Sequence, residues 1–196
     1  MSPNSKALDR REFVQALISS CPQALVISGL GASSYDLFAA GDRNANFYLW
    51  GAMGGAAAMG LGLAIAQPSK SVVVITGDGE QLMGLGALAT IGAQQPANLT
   101  IVVLDNGCYG ETGKQTSHTR LGTDLVAVAR ACSFNWANKI ENQNQLEPLI
   151  DRIQARQGCG LTQVVIHDND VPKLIPPRDG SYLKNRFRQE LGFAPF

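Results

Sequence analysis

Two short runs of almost uninterrupted branched aliphatic residues constrain this chain more than anything else in it. Ser71–Thr76 (SVVVIT) and Leu99–Leu104 (LTIVVL) lack apolar–polar alternation, as strands do when a parallel sheet is covered on both faces. Glu80–Gln94 lies between them with helical spacing, so the unit reads as strand–helix–strand. Such a unit crosses over right-handed and brings both strand ends to one edge of the sheet. Gly77-Asp78-Gly79-Glu80 follows the first run and Asp105-Asn106-Gly107 follows the second, with 28 positions from Asp78 to Asn106. Asp78 and Asn106 are therefore expected to be neighbours. A carboxylate and an amide oxygen converging at that edge suit a hard divalent cation, which prefers oxygen ligands and shares them with phosphate and water. Gly79 and the amides opening the next helix would meet a phosphate beside it. Each group also has a plainer use: Asp78 as a helix cap, Asn106 in a turn, and Glu80 as an acid suited to a helix start.

The remaining segments extend the same pattern. Arg11–Cys21 reads as a helix with Phe13, Leu17 and Ile18 on one face, and Ala24–Ile27 as the first strand. Tyr35–Ala40 reads as a short helix, and Phe47–Trp50 is a short apolar run. Met53–Gln67 is a helix rich in Ala and Gly that Pro68 ends. Each helical Gly costs about 1 kcal/mol relative to Ala, which close approach of another backbone or a ligand would offset. Gly84, Gly86 and Gly92 repeat the pattern on the next helix, so tight packing is expected, including across a subunit interface. Thr123–Cys132 and Gln145–Arg156 read as helices and Thr162–His167 as the last strand. The fold class that results is α/β: one doubly wound, mainly parallel sheet with helices on both faces, forming a single domain over residues 1–196. The tail 171–196 differs, with three prolines followed by Arg178, Lys184, Arg186 and Arg188. It reads as a solvated basic face on a terminal helix, or as a docking surface for a partner.

Composition removes several function classes. Sixteen Lys and Arg balance sixteen Asp and Glu, so no global field recruits nucleic acid or a membrane. Cys21, Cys108, Cys132 and Cys159 include no Cys-x-x-Cys pair, which argues against zinc, an iron–sulfur cluster or a disulfide scaffold. Met1–Glu12 is polar and charged with no apolar stretch, and no run reaches the length of a membrane span. A cytoplasmic location is expected.

Gly77-Asp78-Gly79 with Asn106 at this spacing resembles the cofactor-binding motif of thiamine-diphosphate-dependent 2-oxo acid decarboxylases. Trp50-Gly51-Ala52-Met53-Gly54 is similar to a second stretch of that family, and Ser28-Gly29-Leu30-Gly31-Ala32-Ser33 to its other diphosphate loop. The resemblance runs from about Arg11 to about Phe134. It implies thiamine diphosphate and Mg2+ as cofactors. Asp78, Asn106 and the backbone carbonyl of Cys108 would be the metal ligands. Ser28, Gly29, Gly31, Gly77, Gly79 and Glu80 would surround the diphosphate, Glu80 through its amide. Gly51, Ala52 and Met53 would meet the aminopyrimidine, with Met53 propping the cofactor into a bent shape. Read without the resemblance, Met53 is equally core filler.

The polar loop Gly107–Gly122 carries four glycines and sits directly after Asn106, where long loops are usually functional. Its segment from Tyr109 to Gln115 resembles the corresponding loop of two-subunit sulfopyruvate decarboxylases, beta chain, which adds Tyr109 and Gly110 to the cofactor-binding set. The stretches Gly86–Pro96 and Asn98–Gly107 resemble phosphonopyruvate decarboxylase, with Asp105 where that family tends to have a second Asn. His118 is the loop's candidate catalytic side chain, donating to an anionic substrate or shuttling a proton; it is equally an exposed loop histidine. Glu111, Lys114 and Gln115 are its other chemically capable groups.

Thiamine chemistry also needs a Glu against the pyrimidine, which the family carries on a separate domain of similar size. The resemblance therefore implies a partner, an alpha-type subunit bearing that domain and the activating Glu, in a hetero-oligomer acting on a small 2-oxo acid. Sulfopyruvate or phosphonopyruvate is the expected substrate class. An acetolactate-synthase-type carboligase, or a regulatory subunit that has lost turnover, would share these motifs. A dinucleotide site is excluded, because no Gly-x-Gly-x-x-Gly stands at the first strand–helix turn.

Overall fold

The chain leaves the centre of its sheet in both directions, and that decides where a ligand can sit. The computed structural model describes residues 7–194. In chain order the elements are α1 (Arg10–Ser20), β1 (Leu25–Ser28), α2 (Ala32–Ala39), β2 (Asn46–Tyr48), α3 (Ala56–Ala66) and β3 (Val72–Gly77). Then come α4 (Asp78–Met83), α5 (Ala87–Gln94), β4 (Leu99–Asp105), β5 (Cys108–Tyr109), β6 (Gln115–Thr116) and α6 (Leu125–Ala131). The chain finishes with β7 (Trp136–Ile140), α7 (Leu146–Ala155), β8 (Gly160–Val165) and α8 (Gly180–Glu190). Six strands form one sheet in the order β2-β1-β3-β4-β8-β7, every neighbour parallel.

From β1 the chain moves outward to β2, and from β3 it moves outward the other way to β4. The connection after β1 descends on one face, where Leu37 of α2 joins Phe13 and Leu17 of α1 against Val73 and Ile75. The connection after β3 descends on the other, where Leu88 and Ile91 of α5 pack with α3 against Val72 and Val74. The two loops part above the β1/β3 boundary and leave a crevice at the carboxyl edge. Alternate residues of β3 thus feed two cores, which explains the missing polar alternation. Burying each such aliphatic side chain contributes roughly 1.5–3 kcal/mol.

Several expected elements need correction. The helix expected at Met53–Gln67 starts at Ala56, so Met53 lies in the turn before it. The single helix expected over Glu80–Gln94 is two, broken at Gly84–Gly86. A Cβ on Gly84 would lie 2.1 Å from the Gly54 carbonyl oxygen, so the break is where the turn before α3 rests on this connection. Some of the glycines on these helices serve contacts inside the chain: a Cβ on Gly92 would lie 1.5 Å from the Cys132 carbonyl oxygen, and one on Gly60 2.3 Å from Val74, whereas Gly62 and Gly86 face open space. The loop Gly107–Gly122 contains a small antiparallel ladder of β5 and β6. Strand β7 was not anticipated; it is a five-residue edge strand, WANKI, whose Asn and Lys hide the apolar pattern.

The tail is part of the fold, with Arg186 buried while Arg178 and Lys184 stay exposed. Asp179 caps α8 through bonds from Ser181 N and Tyr182 N, and Leu183, Arg186 and Phe187 are buried. Both terminal nitrogens of Arg186 reach Asp42, at 2.6 and 2.8 Å, and Phe187 meets Phe47 edge-on at 5.8 Å. The preceding segment is tied down by Trp50 Nε1 donating to Pro177 O (2.9 Å) and by Arg178 stacked over the Trp50 ring. The residues offered for docking are thus largely engaged within the chain. Among the described residues no helix is long and apolar enough to cross a membrane; residues 1–6 of the polar amino terminus lie outside them.

Candidate functional site

A cavity of about 430 Å3 opens at the crevice. The turn after β3 supplies Gly77, Asp78, Gly79 and Glu80 to its wall, and the segment after β4 supplies Asn106, Cys108, Tyr109 and Gly110. Met53 completes the set from the turn before α3. These expected residues are brought together. Others are not on the wall. Leu30, Ala32 and Ser33 line it where Ser28, Gly29 and Gly31 were expected. Ser28 is buried, its hydroxyl paired with that of Ser34 at 2.8 Å. Gly51 and Ala52 are exposed and outside the lining, and so is His118.

Asp78 opens α4 and is 2% exposed. Its Oδ2 accepts from the hydroxyl of Ser117, and Thr119 Oγ1 lies between that oxygen (3.2 Å) and Asp105 Oδ1 (2.9 Å). Asp105 is fixed in turn by Gly107 N at 2.8 Å and Gln163 Nε2 at 2.5 Å. Burial pushes the Asp78 carboxyl well above the usual carboxylate range, and the charge of Asp105 pushes the same way, against the two hydroxyls. A buried carboxylate in that position is one that a cation would stabilise. Asp78 is therefore a buried acid facing the cavity, not merely a helix cap.

Asn106 is half-buried. Its Oδ1 accepts from Cys108 N at 3.0 Å, a local turn of the kind Asn favours, and Arg120 Nη2 donates to its backbone carbonyl at 2.8 Å. Cys108 enters β5 opposite Thr116. Its buried thiol lies 3.7 Å from Asp168 and burial holds it in the protonated form, so the thiol is no nucleophile at neutral pH. Among the described residues no group of three or more His, Cys, Asp or Glu could hold a metal. A cation here would have to draw on Asp78, the Asn106 amide oxygen and main-chain carbonyls, the oxygen-only donor set of a hard ion.

Glu80 does more than lend its amide. It is buried, Thr76 Oγ1 donates to its Oε2 at 3.0 Å, and burial pushes its carboxyl up to about 7, against that hydroxyl and the amides of Gly54 and Leu30. Gly54, at φ 85°, carries the backbone past Gly84 and so places Met53. Tyr109 lies over Gly79, where a Cβ would come within 2.5 Å of the ring. The Tyr109 hydroxyl is hydrogen-bonded to His118 Nδ1, so the exposed histidine touches the site through that ring. Lys114 is paired with Asp170 (3.0 Å) and Asp168 (3.6 Å).

Sequence reasoning missed Ser117 and Thr119, whose hydroxyls hold Asp78, because nothing in a polar loop marks which hydroxyls turn inward. It also missed His167 to Asp170, which line the cavity after β8. These could have been found: they follow a parallel strand at the carboxyl edge.

Residues 30–165 match the family described as thiamine pyrophosphate enzyme, C-terminal TPP binding domain, and the chain belongs to that family. The beta subunit of sulfopyruvate decarboxylase from Methanothermobacter thermautotrophicus is 44% identical over 184 residues, covering 94% of this chain and 96% of its own. Phosphonopyruvate decarboxylase from Streptomyces viridochromogenes is 39% identical over 166 residues, 84% of this chain but 41% of its own length. The chain thus spans less than half of that relative and nearly all of the other. Benzoylformate decarboxylase from Polynucleobacter necessarius superimposes with a TM-score of 0.68 at 19% identity, over 88% of this chain and 35% of the other, a likeness of fold.

Proposed function

We propose that this chain is the beta-type, diphosphate-binding subunit of a cytoplasmic decarboxylase that uses thiamine diphosphate and magnesium to convert a 2-oxo acid to an aldehyde and carbon dioxide. The observation that carries the reading is the convergence of Asp78, Asn106, Cys108 and Met53 on one cavity at the β1/β3 crevice. Sulfopyruvate or phosphonopyruvate is the substrate class, from the names of the two relatives above. The residues fit the cofactor: an oxygen-only donor set lies beside a buried acid that a cation would stabilise.

Bound thiamine diphosphate supplies the nucleophilic carbon and the electron sink for carbon dioxide loss. This chain supplies position. The Asp78 and Asn106 side chains with the Cys108 carbonyl would hold magnesium, and the hydroxyls of Ser117 and Thr119 keep Asp78 in place. Leu30, Ala32 and Ser33, with Gly79 and Glu80, wall the diphosphate side. Met53, which lines the cavity, would meet the aminopyrimidine as its prop. Tyr109 and Gly110 continue the wall beside Gly79, with His118 held by the Tyr109 hydroxyl to meet the substrate's second acidic group. The glutamate that activates the cofactor comes from an alpha-type partner.

The test is reconstitution. Purified chain with magnesium, thiamine diphosphate and sulfopyruvate or phosphonopyruvate should release no carbon dioxide until the partner is added, and should then yield the aldehyde. Robust turnover by this chain alone would overturn the split-site reading, and a condensed product in place of the aldehyde would redirect it to carboligation.

A further inference from the structure

We propose that Glu80 is a positioning residue, its carboxylate fastening the turns after β1 and β2 to the end of β3 so that three loops form one rigid cavity wall. The inference deepens the function proposed above and rests on it for the identity of what the wall holds.

Strands β2, β1 and β3 are adjacent in the sheet, so their carboxyl-end loops stand side by side. Glu80 belongs to the third loop and reaches back over the second. Thr76 Oγ1, on β3, donates to Oε2 at 3.0 Å and anchors the side chain to its own strand. The same oxygen lies 1.6 Å from where a Cβ on Gly29 would be, so the carboxylate fills the side-chain space of the β1 turn. Gly29 therefore lacks a side chain because of Glu80, without appeal to a phosphate. The amides of Leu30, in the β1 turn, and Gly54, in the turn after β2, both face the carboxylate. Oε1 is buried with no hydrogen-bond partner, so the carboxylate is held by Thr76 and by its packing against the β1 turn. One buried acid thus addresses all three loops. A residue needed only for its amide would not carry its side chain there.

The test compares Glu80→Ala, Glu80→Gln and Gly29→Ala in the full chain with its partner present. Hydrogen exchange without cofactor should quicken about tenfold at 29–31 and 53–55 in Glu80→Ala, with 99–105 and 160–165 unchanged. Glu80→Gln, whose amide oxygen still accepts from Thr76, should recover part of the protection. The apparent KM for thiamine diphosphate should rise by about tenfold while that for the 2-oxo acid stays put. Gly29→Ala should be worse than either, and adding Glu80→Ala to it should restore part of the loss, because the collision is gone. If Glu80→Ala does not fold, Thr76→Val removes the anchor and should quicken exchange in the same two turns. Unchanged exchange there, or a Gly29→Ala defect indifferent to Glu80, overturns the proposal. A wild-type complex that ignores thiamine diphosphate would instead overturn the function, leaving hydrogen exchange and the melting temperatures of the Gly29→Ala, Glu80→Ala and double variants to judge Glu80.

Discussion

The crevice above β1 and β3 and the far edge at β7 and β8 use the same device to opposite ends. On β8 a Cβ at Gly160 would lie 1.9 Å from the indole of Trp136, its partner in register on β7. On the turn after β1 a Cβ at Gly29 would collide with the carboxylate of Glu80. In both places a missing side chain makes room for a neighbour's large one. At the far edge the occupant is an aromatic ring under the guanidinium of Arg152, 4.9 Å from the ring centroid, and it only packs. At the crevice it is a buried acid, next to a second buried acid, Asp78. Burying ionisable groups disfavours their charged form and costs stability unless partners compensate. One region is thus built for the fold and the other for what it will hold, and substitutions should separate them.

The largest separation is expected at Asp78. Asp78→Ala should weaken thiamine diphosphate and magnesium binding by about a hundredfold or more, while melting of the cofactor-free chain holds or rises. Calorimetry showing wild-type affinity in that variant, with partner present, would remove Asp78 from the metal site. Met53→Ala comes next. A half-buried prop should cost turnover about tenfold or more and stability less than the 2–5 kcal/mol typical of a buried Met. A core-sized loss in thermal melts, with normal turnover per folded enzyme, would make Met53 filler.

Gly160→Ala should do the reverse. Overpacking against Trp136 should cost about 1–3 kcal/mol, each kcal/mol lowering Tm by about 2–4 °C in a chain this size. The apparent KM for the cofactor should not move; if it does, the two regions are mechanically coupled and the contrast fails. The smallest effect concerns the tail. Asp42 is partly buried, which raises its carboxyl, but the bonds from Arg186 and Tyr48 outweigh this and hold it below the usual range. A depressed folded value means that the pair stabilises above the unfolded value of about 3.9 and loses that contribution as pH falls through the folded one. Acid melts of Asp42→Asn should therefore lie below wild type at neutral pH and converge with it in that window. Parallel curves throughout would show that the charge of Asp42 does not matter.

Much of this was legible because parallel strands are marked by composition and loops by their glycines. The runs at 71–76 and 99–104 specify a buried parallel pair, and a right-handed crossover then places Asp78 and Asn106 at one edge whatever the rest of the chain does. The places of Gly77 and Gly79 followed from the strand–helix–strand reading, whereas those of Met53 and Cys108 came only from the resemblance to thiamine-diphosphate enzymes. Strand β7 was illegible because an edge strand needs only one buried face and tolerates polar residues. The break at Gly84–Gly86 was illegible because its cause, the backbone of Gly54, is thirty positions away.

The sequence by itself determined the doubly wound α/β class and the edge at which the site lies, since local patterning and chain chirality suffice for both. Only the tertiary structure decided which side chains meet. Ser117 and Thr119 turn in to hold Asp78, Glu80 lies under Gly29, and Arg186 closes on Asp42 from 144 positions away. Those contacts join segments that nothing local relates. They exist because buried polar groups must find partners wherever the folded backbone brings them.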